Sequence, residues 1–300
     1  MELLTPTNWP NYELIDSGDF EKLERFGDRI VARPEPQAMW DKTLSNEEWK
    51  KMADAYFINA KSDKGSNLKN DGERGEWKLK PGLKEQWYID YNYKEMNIRF
   101  RLGLTSFKHI GIFPEQASNW NYIYDSIKSI NQSNTKVLNL FSYTGGASLA
   151  AKAAGADVTH LDSVKQVVTW ARENMEASGL KDIRWIIDDA VKFVSREVRR
   201  GNQYNGIILD PPAFGRGPEG EMWKLEDCIN DLLKNCNQIL APSKSFLILN
   251  IYSLGFSALI AENFAKTIFG IEQPNYGELF VSEREGRRLP LGVFARFRRP

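Results

Sequence analysis

The sequence predicts an α/β protein, with a doubly wound, mostly parallel sheet preceded by a smaller β-rich region. Three observations lead there. From Val137 to Phe269, short apolar runs that read as buried strands alternate with amphipathic runs that read as helices, the pattern of a doubly wound domain. Val137 to Ser148, V-L-N-L-F-S-Y-T-G-G-A-S, opens as a strand, breaks at Gly145 and Gly146, and continues into the small-residue helix Ala147 to Ala154. In open parallel sheets this first strand-to-helix turn lies at the carboxyl edge, where the winding reverses and a ligand crevice opens. Met1 to Gln37 instead holds short β-like runs separated by Gly18, Gly27 and the Pro34, Pro36 pair, which suits a small β-rich region. The expected division is an accessory, substrate-recognition region over 1–105 and the α/β domain over 106–300.

Along the chain, Tyr12 to Ile15 and Arg29 to Ala32 are the first strand candidates. Asn46 to Phe57 sets Trp49, Met52, Ala53, Tyr56 and Phe57 on one helical stripe, so a helix is expected over it. From Lys61 to Lys84 the composition turns to Lys, Gly, Asn and Asp without periodicity and reads as a long exposed loop. Its seven basic and four acidic residues leave +3, with Trp77 inside it and Trp87 just beyond. Cations neutralise phosphates and aromatic faces stack on bases, so this is the best contact for single-stranded RNA, although a plain solvated loop has the same composition. Gln86 to Asn92 and Asn97 to Leu104 read as a hairpin, and Ser118 to Ile130 as a helix. After the α/β alternation, Tyr276 to Ser282 and Gly292 to Phe297 read as a terminal strand pair. Arg284, Arg287 and Arg288 in the connecting loop and Arg296, Arg298 and Arg299 in the tail make a second cationic patch, read as a solubilising end.

The glycine turn is narrowed by what it lacks. It has neither G-x-x-x-x-G-K-[ST], which holds a triphosphate and magnesium, nor G-x-G-x-x-G, which cradles a pyrophosphate. A phosphate-free nucleoside fits better, and the two glycines let it approach the backbone closely. The next strand candidate, Asp157 to Leu161, ends at Asp162, 17 positions past Gly145, where a carboxylate commonly takes ribose hydroxyls. Ile183 to Ile187 ends at Asp188 and Asp189, and Gly206 to Leu209 at Asp210-Pro211-Pro212. Four strands thus end on polar or glycine-rich loops at one edge.

These loops resemble those of the class I S-adenosylmethionine-dependent methyltransferases. Within that class the chain looks like the branch of bacterial ribosomal-RNA large-subunit methyltransferases with N-L-F-S-Y-T-G and D-P-P-x-F loops. Asn139 to Gly145 and Asp210 to Phe214 match them, with Asp162 and Asp189 at the corresponding strand ends, and the likeness runs from Ser106 to the C-terminus. It implies a Rossmann-like fold whose seven-stranded sheet ends in an antiparallel pair with one reversed strand, and S-adenosyl-L-methionine as cofactor. It further implies Phe141, Ser142, Tyr143, Thr144, Gly145 and Ala147 around the methionine moiety, Asp162 on the ribose and Asp189 on the adenine amine. Ser163 and Ala190 join these as cofactor contacts, as does Gln116, from a G-x-F-x-[DE]-Q element matched by Gly111, Phe113, Glu115 and Gln116.

The catalytic set expected is Asp210, Pro211, Pro212 and Phe214. Asp210 ends a strand that is apolar throughout, and two prolines fix the backbone after it, so a rigid hydrogen-bond acceptor stands beside the cofactor loop. In related amino-group methyltransferases a [DNS]-P-P-aromatic loop accepts from the exocyclic N–H while the ring stacks on the base. Ala213 separates Pro212 from Phe214 here, so that spacing is not reproduced and exocyclic-amine chemistry is left open. Cytosine carbon-5 methylation needs a cysteine thiolate, which the branch's carbon-5 enzymes carry after the fifth strand. Leu249 to Gly255 contains none, and Cys228 and Cys236 fall in a helical pattern with Leu225, Ile229, Leu232, Leu233 and Ile239, as small core residues do.

Composition sets the outer limits. Three hundred residues at 42% hydrophobic content can bury a substantial core, and 40 basic against 40 acidic residues give no global attraction to nucleic acid. The two cysteines and two histidines do not cluster in sequence, so neither a disulfide framework nor a metal site is expected. No run of 18 apolar residues is present and Met1 to Pro6 does not read as a leader, so a cytoplasmic protein without membrane contact is expected. The function expected is S-adenosylmethionine-dependent methylation of a nucleobase in RNA, ribosomal RNA by resemblance. A protein or small-molecule acceptor, or binding of RNA or cofactor without turnover, are the alternatives. The oligomeric state is not legible.

Overall fold

The computed structural model describes residues 1–60, 74–252 and 255–300. The first part of the chain contains β1 (Glu2–Leu4), β2 (Tyr12–Gly18), β3 (Glu21–Phe26), β4 (Arg29–Pro34), α1 (Asn46–Met52), β5 (Ala55–Asn59), β6 (Gly75–Leu79) and the hairpin β7 (Gln86–Tyr93) to β8 (Met96–Gly103). Strands β2 to β6 form one sheet in chain order. β3 was not foreseen because its charged residues, Lys22 and Glu24, are buried against partners on β4 and beyond it, which no local pattern reveals.

Two expectations fail in this region. The helix expected over Asn46 to Phe57 ends at Met52. Ser45 and Glu48 close a capping box at its start, but Ala53 is extended, and Ala55 to Asn59 pair with Gly75 to Leu79 instead. Tyr56 and Phe57 are good strand formers, and cross-strand pairing outweighs the helical stripe. The expected loop from Lys61 to Lys84 therefore contains a strand, in which Trp77 and Leu79 are half-buried while Glu76 and Lys78 are exposed. Its residues 61–73 lie outside the described residues.

The second part follows the α/β alternation. It comprises α2 (Ala117–Ile130), β9 (Lys136–Leu140), α3 (Gly146–Ala153), β10 (Asp157–Asp162), α4 (Lys165–Ala177), β11 (Ile183–Ile187), α5 (Ala190–Arg200) and β12 (Gly206–Leu209). A small hairpin, β13 (Phe214–Arg216) to β14 (Met222–Lys224), precedes α6 (Leu225–Ile239), β15 (Ser245–Ile251), α7 (Ala258–Phe269), β16 (Asn275–Ser282) and β17 (Arg288–Arg299). The main sheet runs β1-β16-β17-β15-β12-β9-β10-β11. Among the described residues β17 alone is reversed in this sheet, being antiparallel to β15 and β16, so the single reversed strand is present. The sheet has eight strands rather than the expected seven, because Glu2 to Leu4 pair in parallel with Gly277 to Leu279.

Each central strand feeds both layers. Val137 of β9 packs with α2, α3 and the β7–β8 hairpin, while Leu138 and Leu140 pack with α5, α6 and α7. That two-sided burial is why these strands read as unbroken apolar runs. The order reverses at β9, whose neighbours are β10 on one side and β12 on the other, and the crevice opens beyond its carboxyl end.

The arginines read as a solubilising patch are mostly engaged within the fold. Arg287 donates to Asp16 Oδ1 at 2.9 Å, to Glu283 at 2.7 Å and to the carbonyls of Asp41 and Ser17, while Arg284 pairs with Glu13 at 2.9 Å. Arg296 and Arg298 lie against the Tyr122 ring, and Arg299 donates to Asn237. The β16–β17 connection is thus a latch onto the β2–β6 sheet.

Candidate active site

The loop after β9 has an unusual backbone. Phe141 (φ 55°), Tyr143 (φ 50°) and Gly145 (φ 92°) alternate with ordinary residues in the left-handed region. Non-glycine residues held there cost about 1–3 kcal/mol each and persist only where surroundings fix them. The fixing contacts are specific. Tyr143 N–H donates to Asp162 Oδ2 at 2.9 Å, Ser142 Oγ donates to the Asn139 carbonyl at 2.7 Å, and Thr144 Oγ1 donates to the Gly111 carbonyl at 2.7 Å. Asn174 Nδ2 of α4 holds the Thr144 carbonyl at 3.0 Å. Gly111 itself has φ +102°, and a Cβ there would run into the Trp170 ring.

This loop walls a cleft. Gln116, Phe141, Ser142, Tyr143, Thr144, Gly145, Ala147 and Asp210 all line it, so the structure gathers those expected residues. Gln116 is held by a closed amide set in which Asn119 and Asn250 both donate to its Oε1 at 3.0 Å, and Asn119 also donates to Asn250 at 2.9 Å. Phe113 packs at 5.2 Å from Tyr143, and Trp223 of β14 at 4.9 Å from Phe141. Among the described residues the lining contains one carboxylate and neither lysine nor arginine. That chemistry suits an uncharged or cationic ligand and gives a phosphate nothing to pair with.

The other expected residues lie outside this lining. Asp162 ends β10 beside the loop, and its Oδ1 also accepts from Val164 N–H at 3.0 Å. Burial raises its pKa, while the N–H groups of Val164, Tyr143 and Ser163 hold it down. Asp189 is the N-cap of α5, accepting from Lys192 N–H at 2.8 Å through Oδ1, and Ala190 is the first residue of that helix. Val164 and Ile187, which sequence reading passed over, are exposed aliphatic residues at the same edge, Ile187 facing Asp162 in register. Pro212 accepts from Trp223 Nε1 at 2.6 Å, which ties the β13–β14 hairpin to the D-P-P loop. Phe214 opens that hairpin with 62% of its surface exposed.

Asp210 is half-buried, and its carboxylate has no hydrogen-bond partner among the described residues. Burial pushes it up to about 7. Glu115 is also pushed up to about 7, first by burial and secondarily by the Asp210 charge, against Lys22, its own backbone N–H and Arg33. Sequence reading placed Glu115 in a motif but gave it no role. Asn119 and Asn250 were missed outright, since each sits in an otherwise ordinary helix or strand. Cys236 is fully buried, with its thiol pushed up by burial, and Cys228 is half-buried on the same helix. Among the described residues no group of His, Cys, Asp and Glu could hold a metal, and no helix is long and apolar enough to cross a membrane.

A strand-edge crevice with a contorted glycine loop, a free carboxylate and no phosphate-binding cation among its described lining residues suits a nucleoside cofactor in a doubly wound α/β protein. The S-adenosylmethionine-dependent methyltransferase family profile matches residues 73–271, and the chain belongs to that family. The crystal structure of a SAM-dependent methyltransferase from Agrobacterium tumefaciens is 36% identical, with a TM-score of 0.88 over 99% of this chain and 93% of that one. SMU.776, solved in complex with SAH, has the same fold at 18% identity, with a TM-score of 0.70 over 97% of this chain and 76% of that one. The ribosomal RNA large subunit methyltransferase K/L of Shewanella frigidimarina is 29% identical over 161 residues, 52% of this chain and 22% of that protein. The Pseudoalteromonas atlantica protein of the same name is 30% identical over 159 residues, again 22% of its length. The matched segment thus spans about a fifth of these curated relatives.

Proposed function

We propose that this methyltransferase acts on a nucleobase of RNA, ribosomal RNA first, and does so in the cytoplasm. The observation that carries the reading is the unpartnered carboxylate of Asp210 in the cleft lining, with the exposed ring of Phe214 four residues further along the same loop. A flat ring offers a stacking face to a base, and a rigid acceptor orients an N–H. Relatives named as ribosomal RNA methyltransferases support the acceptor class. Residues 1–105 serve as the recognition region in this reading, with Arg74 over Phe107 at 5.0 Å and Arg99 over Tyr88 at 5.6 Å as cation and aromatic pairs near the expected RNA-contact segment.

Bound S-adenosylmethionine supplies an electrophilic methyl group on a sulfonium. The chain's task is to hold the acceptor in line with it. The Phe141 to Ala147 loop and Gln116 cradle the methionine end, Asp162 with Ser163 takes the ribose hydroxyls, and Asp189 with Ala190 takes the adenine edge. Val164 and Ile187 flank that edge as apolar faces. Asp210, kept rigid by Pro211 and Pro212, takes the acceptor's N–H, and Phe214 stacks on its ring. No cysteine stands among the described lining residues of the cleft, so the covalent cytosine route has no nucleophile there.

The test is transfer of tritium from methyl-labelled S-adenosylmethionine into RNA, protein and small-molecule fractions of cells lacking the gene. Label in RNA is the expected result. Label confined to protein or small molecules moves the acceptor class, and no label with cofactor binding intact points to a binder without turnover.

A further inference from the structure

We propose that Arg296 of β17 sets the direction of the amide set formed by Gln116, Asn119 and Asn250, so that Gln116 turns its Nε2 into the cleft as a donor for the carboxylate at the cofactor's methionine end. This rests on the methionine end lying at Gln116, as read above, and is independent of the methyl acceptor. Arg296 reads from sequence as part of a solubilising patch, yet its side chain is only 11% exposed. In the antiparallel register of β15 and β17, Ile248 stands opposite Arg296 and Asn250 opposite Phe294, so Arg296 and Asn250 rise on the same face of the sheet. The rings of Tyr122 at 4.4 Å and Phe294 at 5.1 Å hold the guanidinium there. Asn119 of α2 joins the two, donating to Asn250 Oδ1 at 2.9 Å and accepting from Arg296 Nη1 through its own Oδ1 at 3.3 Å.

The direction follows from what each group is able to donate. A guanidinium has N–H donors only, whereas a side-chain amide bonds through either end. Arg296 Nη1 therefore takes the oxygen of Asn119, with the Ser118 carbonyl at 3.4 Å as a further acceptor. The Nδ2 of Asn119 is left for the set, and its two N–H groups go to Gln116 Oε1 at 3.0 Å and Asn250 Oδ1 at 2.9 Å. Asn250, its oxygen taken, turns Nδ2 to the same Gln116 oxygen at 3.0 Å. Gln116 Oε1 thus accepts twice, and what Gln116 has left to offer the cleft is the pair of N–H groups on Nε2. The reverse direction would set the N–H groups of Asn119 against those of Arg296. With Asn119 only 2% exposed, donors facing donors there are costly.

The cleft has use for such a donor. Among the described residues its lining holds neither lysine nor arginine, so an anionic group entering it meets neutral N–H donors. A site built from donors of this kind rejects an analogue that leaves them unpaired. Arg296 itself is not among the lining residues. It acts through Asn119 and Asn250 as a positioning residue, and the selectivity of the cleft for a carboxylate is the property it controls.

Calorimetry on the full chain tests this with S-adenosylhomocysteine and its decarboxylated analogue, which keeps the amine and lacks the carboxylate. The wild type should bind S-adenosylhomocysteine roughly ten- to a hundredfold more tightly than the analogue, and equal affinities overturn the proposal. Gln116→Glu keeps the shape and an inner oxygen for Asn119 and Asn250 but turns an oxygen to the cleft, so the preference should reverse. Affinities that stay unchanged, or fall alike for both ligands, would remove the methionine end from Gln116 and the proposal with it. Arg296→Lys keeps a head that only donates and should retain the preference, whereas Arg296→Glu, whose carboxylate accepts, should turn the set round and abolish it. Loss of the preference in the first, or its survival in the second, overturns the role of Arg296 while leaving the methionine end in place. If Arg296→Glu does not fold, Arg296→Met replaces it. The preference should then fall a few-fold as the set divides between two directions, and an unchanged preference refutes the proposal.

Discussion

Replacing Asp210 by asparagine should stabilise the cofactor-free protein at alkaline pH while slowing methyl transfer. Asparagine has nearly the shape of the protonated acid and never ionises. In the folded chain, burial raises the Asp210 carboxyl from its ordinary 3.8 to about 7. The sign follows from linkage. Between about pH 4 and 7 the native state binds a proton that the unfolded chain has released, so stability falls as pH rises. The contribution is fully present below the unfolded pKa and is lost as pH passes the folded one. At ~1.4 kcal/mol per pH unit, a rise from 3.8 to about 7 amounts to about 4 kcal/mol. Asp210 is only half-buried and water reaches it, so about 2 kcal/mol is the working figure. Glu115, raised in the same direction, adds a background slope of the same sign to both proteins.

The assay is thermal or urea unfolding of wild type and Asp210→Asn from pH 4 to 8.5. The two should coincide near pH 4 and diverge up to pH 7, with the variant the more stable by about 2 kcal/mol above it. Cofactor affinity should change little, while single-turnover methyl transfer should fall by a factor worth a few kcal/mol, about what a lost transition-state charge contact commonly costs. A stability difference that does not vary with pH would refute the account of Asp210 as a destabilised carboxylate. A loss confined to cofactor binding, with the single-turnover rate unchanged, would move Asp210 from the acceptor to the cofactor.

Three further outcomes are expected. Asp162→Ala deprives Tyr143 and Val164 N–H of their acceptor and should weaken S-adenosylmethionine binding roughly ten- to hundredfold, and calorimetry giving equal affinity would remove Asp162 from the cofactor site. Gly111→Ala forces a Cβ into Trp170 at a left-handed position and should cost about 2–3 kcal/mol in denaturant unfolding, with the cofactor loop loosened through Thr144. The double variant Cys228→Ala, Cys236→Ala should keep methyl transfer and lose about 1–2 kcal/mol of stability, whereas a folded, cofactor-binding but inactive double variant would bring covalent chemistry back.

What sequence reading captured follows from burial being periodic. β11 and β12 were bounded to the residue, and the glycine turn after β9 was placed, because strands buried on both faces print themselves as apolar runs between turn residues. The failures have one physical character. Ala55 to Phe57 read as helix because Trp49, Met52 and Tyr56 share a helical stripe, whereas their state is decided by pairing with Gly75 to Leu79 across a gap in sequence. β3 went unread and Arg287 was placed in a solubilising patch because Lys22, Glu24 and Arg287 carry charge, whereas their partners Arg33, Glu35, Asp16 and Glu283 arrive from elsewhere. A polar residue announces neither its partner nor its burial.

The site divides along the same line. The Phe141 to Gly145 loop is legible because its glycine and its place in the strand order are local facts. The residues that hold it in a left-handed path, Asp162, Asn174 and Gly111, come from three other segments. The amide set of Gln116, Asn119 and Asn250 joins a turn, a helix and β15, with Asn250 standing 134 positions from Gln116. These contacts are costly to leave unmade in a low-dielectric interior, so each must be complete for the loop to stay bent. Asp210 is the exception, a carboxylate with burial and no partner among the described residues. In the proposed function this unmet hydrogen-bond acceptor receives the methyl acceptor's N–H, and the pH dependence of Asp210→Asn reads out its unmet hydrogen bonding before any substrate is known.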